Sequence, residues 1–267
     1  MLAVAIEPWG PRLTASLTAR EQVSTNGMHV TTTYTLVPGH RDDLIEALAD
    51  LVQFLATGSV EAADPSSWRT GGRTGAATWE RLVSIDDSGI YAEMKAAIGE
   101  AIAWWHETEH PEIVHAQRPY MGVGQPYVDS LSIMQCGDDQ FLRGVQAKVT
   151  RNLPRDRIHE ALGKFERLQA GERDDFLSET VRRWRAELEA LGTITVDLDA
   201  ASTGLTMRHF QTFVCHGRNP PGDPAHDYHP RLTAHAYHGR SLALVRDDDI
   251  DQLAAAVARL VRDRVLQ

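Results

Sequence analysis

Histidine is the chemistry-bearing residue of this chain. Twelve occur in 267 residues, with His106, His110 and His115 inside ten positions and His209, His216, His226, His229, His235 and His238 inside thirty. Imidazole is the commonest metal ligand and titrates near neutral pH, so such bunching points to a metal site or to proton transfer. The sharpest case is Trp105-His106-Glu107-Thr108-Glu109-His110, which contains H-E-x-x-H. On a helix this spacing puts two imidazoles one turn apart, where they can share a metal, with Glu107 placed to activate its water.

At this motif, and at no other point in the chain, the sequence resembles the zincin metalloproteases. The resemblance implies His106 and His110 as zinc ligands and Glu107 as general base. It supplies no third ligand here, and Pro111 disfavours helical geometry at His110. The plainer reading of His110 and His115 is a solvated helix end, where imidazolium favours the negative pole of the dipole. His106 stands apart, because it lies one turn beyond Ile102 and so borders an apolar stripe.

The later cluster is built on loop and sheet. His226 and His229 occupy the proline-rich stretch Gly217–Pro230, and a loop with few unfolded conformers presents side chains at little ordering cost. Alternation groups His209, Gln211, Phe213 and Cys215 on one strand face, and Thr233, His235 and Tyr237 on another. Facing one another, these could line a pocket for a metal, a haem or a carboxylate. The expected metal ligands are therefore His106, His110, His209, His229 and His235. Glu107, Asp227 and Tyr237 are the expected catalytic groups. Gln211 and the arginines Arg208 and Arg231 are expected to hold substrate.

Other chemistries find no support. The chain has no G-x-S-x-G elbow and no P-loop, and Gly122-Val123-Gly124 lacks the third glycine of a dinucleotide fingerprint. Cys136 and Cys215 have no C-x-x-C or C-x-x-C-H spacing, and Cys215 and His216, as strand neighbours, point to opposite faces. A net charge of −10 argues against a nucleic-acid partner. No apolar run reaches membrane-spanning length and no signal segment opens the chain, so cytoplasmic residence without membrane contact is expected. Of 27 basic residues only Lys95, Lys148 and Lys164 are lysines, which reads as coding bias.

The elements that must position these groups follow from periodicity. Residues 1–27 lack a sustained period and are expected to form a loosely ordered N-terminal extension to a single α+β domain over 28–267. Val30, Thr32, Tyr34 and Leu36 alternate as a strand, and Leu44, Leu48, Leu51, Val52 and Leu55 form a helical stripe closed by Gly58. Residues 57–78 read as a long loop. Met94, Ile98, Ile102 and Trp105 predict a helix running to His106 and ended by Pro111. A strand is expected at 127–135, helices around Leu162 and Trp184, and strands at Ile194–Leu198 and Met207–His216. A hairpin is expected to turn at His238-Gly239-Arg240, before a last helix bearing Ile250, Leu253 and Val257. The expected fold is α+β, an antiparallel or mixed sheet with amphipathic helices on one face.

Composition and pattern thus predict an enzyme with a histidine-rich site, dependent on a divalent metal (zinc or iron) or on haem. Hydrolysis or oxygenation of a small molecule or peptide would be its reaction. The alternative is a non-catalytic acidic protein that neutralises a basic protein partner, its negative charge reinforced by Asp247–Asp249. Clustered imidazoles could also make self-association sensitive to pH.

Overall fold

The expected strand at Tyr34 and Leu36 forms as β2 (His29–Leu36), and Leu36 is buried. The computed structural model describes residues 9–23, 29–61, 64–70, 73–119, 128–137, 139–150, 155–169, 172, 179, 181–186, 189, 209–216, 236–243 and 250–265. Helices are α1 (Trp9–Ser16), α2 (Arg41–Thr57), α3 (Ala76–Val83), α4 (Ala92–Glu109), α5 (Arg155–Gln169) and α6 (Ile250–Val265). The other strands are β1 (Leu17–Val23), β3 (Arg69–Thr70), β4 (Arg73–Thr74), β5 (Ile113–Ala116), β6 (Ser130–Cys136), β7 (Asp139–Thr150), β8 (His209–His216) and β9 (Ala236–Ala243).

Seven strands make one mixed sheet in the order β1-β2-β9-β8-β7-β6-β5. The central run β2, β9, β8, β7 is parallel, and antiparallel partners flank it, β1 on one side and β6 then β5 on the other. The α+β architecture with a mixed sheet is thus the one the pattern predicts. Helices α2, α4 and α6 cover one face and bury Leu44, Leu48, Leu51, Ile98, Ile102, Leu253 and Val257 in a common core. Gly58 closes α2 as expected: it takes the left-handed conformation at φ 85°, and its N–H donates to Phe54 O at 2.7 Å.

Helix α5 adds cover to the opposite face. Ala147 and Val149 of β7 pack into the α2/α4/α6 core, whereas Lys148 between them pairs with Glu160 of α5 at 3.2 Å. Successive strand residues point to opposite sides, so the two helical layers sandwich β7. Ala161, Leu162 and Phe165 of α5 are buried, as are Val181 and Trp184 of the helical stretch at 181–186.

Three expectations need correction. Residues 9–23 are no loose extension: Trp9 and Leu13 are buried in the core, and β1 pairs with β2 from Leu17↔Leu36 to Val23↔Val30. Pro11 sits in the first turn of α1, where its missing N–H has no intrahelical partner to lose. The hairpin at His238-Gly239-Arg240 is not there either. Gly239 lies inside β9, across from Thr31 of β2 and Thr212 of β8, so parallel ladders on both sides keep the strand straight. Finally, the stretch at 57–78 carries a 3-10 turn at Pro65–Ser67, the β3–β4 pair and the start of α3, with Trp68 fully buried. Residues 1–8, 24–27 and 217–235 and the strand expected at Ile194–Leu198 lie outside the described residues.

Candidate functional site

Helix α4 delivers His106 and Glu107 to the sheet in consecutive positions of its last turns. His106 is buried, and its Nδ1 lies 2.6 Å from the Tyr34 hydroxyl of β2. The two rings meet edge to face, and the Trp105 ring lies 5.8 Å from that of Tyr34. Glu107 is fully buried. Its Oε1 takes a hydrogen bond from Arg143 Nη1 at 3.3 Å, and its Oε2 accepts from the Ser132 hydroxyl. Arg143 on β7 and Ser132 on β6 are direct register partners, so one step of the ladder holds both ends of the carboxylate.

Arg143 is the unusual member. Its side chain is wholly removed from solvent, yet among the described residues its Nε and Nη2 have no hydrogen-bond partner. A buried guanidinium has five donors to satisfy, and an unmade charged hydrogen bond in the interior costs free energy. The Nε and Nη2 pair is also the fork geometry that grips a carboxylate or phosphate in two parallel bonds.

The last turns of α4 therefore bridge Tyr34 on β2 and Arg143 on β7, and between those strands run β9 and β8. The register places His209 across from Arg143, and Gln211 across from both Val145 and His238. His106 of the first histidine group and His209 and His238 of the later one are thus carried to one stretch of sheet. The ladder also corrects the expected grouping of Gln211 with Tyr237. Tyr237 stands across from Phe210 and His29, one position out of phase with Gln211, and His238 holds the place given to it.

The resemblance to a zinc-binding helix is not carried by the geometry. Glu107 is the counter-ion of Arg143, enclosed by β6 and β7. His110 is the non-helical cap that Pro111 imposes, at ψ 126°. Its Nδ1 accepts from the Glu112 N–H at 3.2 Å. Among the described residues no three of His, Cys, Asp and Glu are grouped to hold an ion. His115 is not a solvated helix end: it lies on β5 and packs against Trp184 at 5.3 Å, and burial lowers its pKa below the ordinary 6.5. Asp227, His229, His235, Arg208 and Arg231 lie outside the described residues.

Sequence reasoning missed Arg143 and Ser132. The signal was present for the arginine, because Arg143 keeps the alternating phase of Val145, Ala147 and Val149, and a guanidinium in an apolar phase needs a buried partner. No known protein family matches the chain, and no curated protein matches it. No helix among the described residues is long and apolar enough to cross a membrane.

Proposed function

We propose that the protein is an enzyme acting on a small molecule with a carboxylate or phosphate group, bound at the end of α4 over β8 and β9. The observation that carries this reading is the buried Arg143, whose Nε and Nη2 donors have no partner among the described residues. Arg143 binds the anion, Glu107, itself held by the Ser132 hydroxyl, keeps the guanidinium in place, and the Tyr34–His106 pair moves the proton. A hydroxyl 2.6 Å from an imidazole nitrogen is a relay of the kind general acid–base steps use. His209, Gln211 and His238 stand at neighbouring register positions on β8 and β9. Dependence on zinc, iron or haem is the corollary of the histidine bunching, with His106 joined by His209, His229 and His235. Zinc would make the reaction a hydrolysis, and iron or haem an oxygenation.

The test is a thermal-shift and calorimetric titration with inorganic phosphate, oxalate and succinate, alongside metal analysis of the purified protein. Saturable binding is expected in the native chain and its loss in Glu107→Leu/Arg143→Met, which removes both buried charges together and so keeps the fold. Absence of binding by all three anions, or equal binding by the double variant, overturns the reading. A basic protein captured in their place, with salt-sensitive affinity, would instead support the acidic binding protein that the net charge of −10 allows.

A further inference from the structure

Arg143 is neutralised before any ligand reaches it. Its Nη1 donates to Glu107 Oε1 at 3.3 Å, and the two side chains are 0% and 1% exposed. Guanidinium and carboxylate cancel, so the enclosed pair carries no net charge. Among the described residues each is the other's sole ion-pair partner. The second oxygen of Glu107 is held by the hydroxyl of Ser132, itself fully buried and the register partner of Arg143. Both ends of the counter-ion are therefore fixed on the Nη1 side of the guanidinium.

What this leaves is the opposite edge, where Nε and Nη2 have no partner among the described residues. The N–H bonds along that edge are coplanar and parallel, spaced for the two oxygens of one carboxylate. A phosphate would occupy the same donors with two of its oxygens and bring others that need donors of their own, and a buried acceptor without a donor costs free energy. The surroundings supply no second charge. Val145, the next residue on that face of β7, belongs to the hydrophobic core, and Ala103, one turn before Glu107 on α4, is buried with it. A carboxylate thus takes the enclosed group from neutral to one negative charge, whereas a phosphate near neutral pH takes it to about two. The cost of moving charge out of water rises steeply with its amount, and no further cation offsets the second unit.

We propose that the group Arg143 takes is a planar monocarboxylate, as in a small aliphatic acid, and that phosphate is rejected through its extra charge and extra oxygens. This rests on the reading of Arg143 as an anion site and narrows it to one class of ligand. Nε and Nη2 each donate to one carboxylate oxygen, while Nη1 stays on Glu107.

The probes are propionate, propionamide and inorganic phosphate, titrated near neutral pH at constant ionic strength into the full isotope-labelled chain. The Arg143 Nε–H resonance is the readout, identified by its absence from the spectrum of Glu107→Leu/Arg143→Met. Propionate is expected to shift this resonance saturably and to bind at least about tenfold more tightly than either of the other two. Phosphate that binds as tightly as propionate overturns the choice of carboxylate and leaves Arg143 an anion site. Propionamide that binds as tightly overturns both, because negative charge is then not what is recognised, and so does a resonance that none of the three moves. Glu107→Gln removes the counter-charge and keeps an acceptor for Nη1. In that variant, with its circular-dichroism melt retained, phosphate should gain on propionate by at least about tenfold. An unchanged ratio there overturns the exclusion by charge, and the three titrations of the unaltered chain are decisive whether or not the variant folds.

Discussion

Glu107 shows how little a residue's type says about its work until its partners are known. In the sequence it is the central glutamate of H-E-x-x-H, and in the fold it is the buried counter-ion of Arg143. Removing one member of such a pair strands the other charge, so Glu107→Ala should cost about 3–5 kcal/mol, whereas Glu107→Leu with Arg143→Met should be near neutral. Urea denaturation of the three proteins checks this, and equal losses in the single and double variants would refute it. Tyr34→Phe is a milder change that deletes one hydroxyl 2.6 Å from His106 Nδ1. It should lower stability by about 1 kcal/mol, read by the same method. The burial of His106 was visible in the sequence through its place one turn beyond Ile102. The partnership with Tyr34 was not, because it joins residues 72 positions apart.

Helix α4 and strand β7 approach closely where Gly99 faces Val149. A methyl built on Gly99 would stand 2.6 Å from Val149 Cγ2, and a β-branched side chain has few rotamers with which to withdraw. Alanine normally stabilises a helix interior by about 1 kcal/mol over glycine, but forced overpacking costs about 1–3 kcal/mol. Gly99→Ala should therefore destabilise the protein, and the change should become neutral or favourable when Val149→Ala makes room. A stabilising Gly99→Ala in the native background would show that the two elements are not in this contact. The same pair explains what could be read at this scale. The α4 stripe of Met94, Ile98, Ile102 and Trp105 announces a helix by itself. Strand β7 does not announce itself, because Arg143, Gln146 and Lys148 interrupt its apolar residues and are explained only by Glu107, Asp129 and Glu160 from elsewhere in the chain. Likewise Gly239 resembles a turn residue until strands pair on both sides of it.

Across the whole molecule the sheet separates two kinds of chemistry. The α2, α4 and α6 side is a mainly apolar core that also encloses the Glu107–Arg143 pair, and Arg12 and Arg264 converge there on Asp50 at 3.3 and 2.6 Å. The α5 side holds groups whose titration opposes burial: Asp129, Lys164, and His115 against Trp184. For His115 the folded pKa is depressed, so between that value and 6.5 the unfolded chain binds more protons than the folded one. Stability must then fall as pH drops through 6.5 and level off below the folded value. His115→Phe keeps a ring against Trp184 and removes the proton site. Urea midpoints measured from about pH 7.5 to about pH 5 should therefore decline less in the variant than in the native protein. Parallel curves would mean that His115 is as protonatable in the folded chain as in the unfolded one, and that its contact with Trp184 does not exclude water.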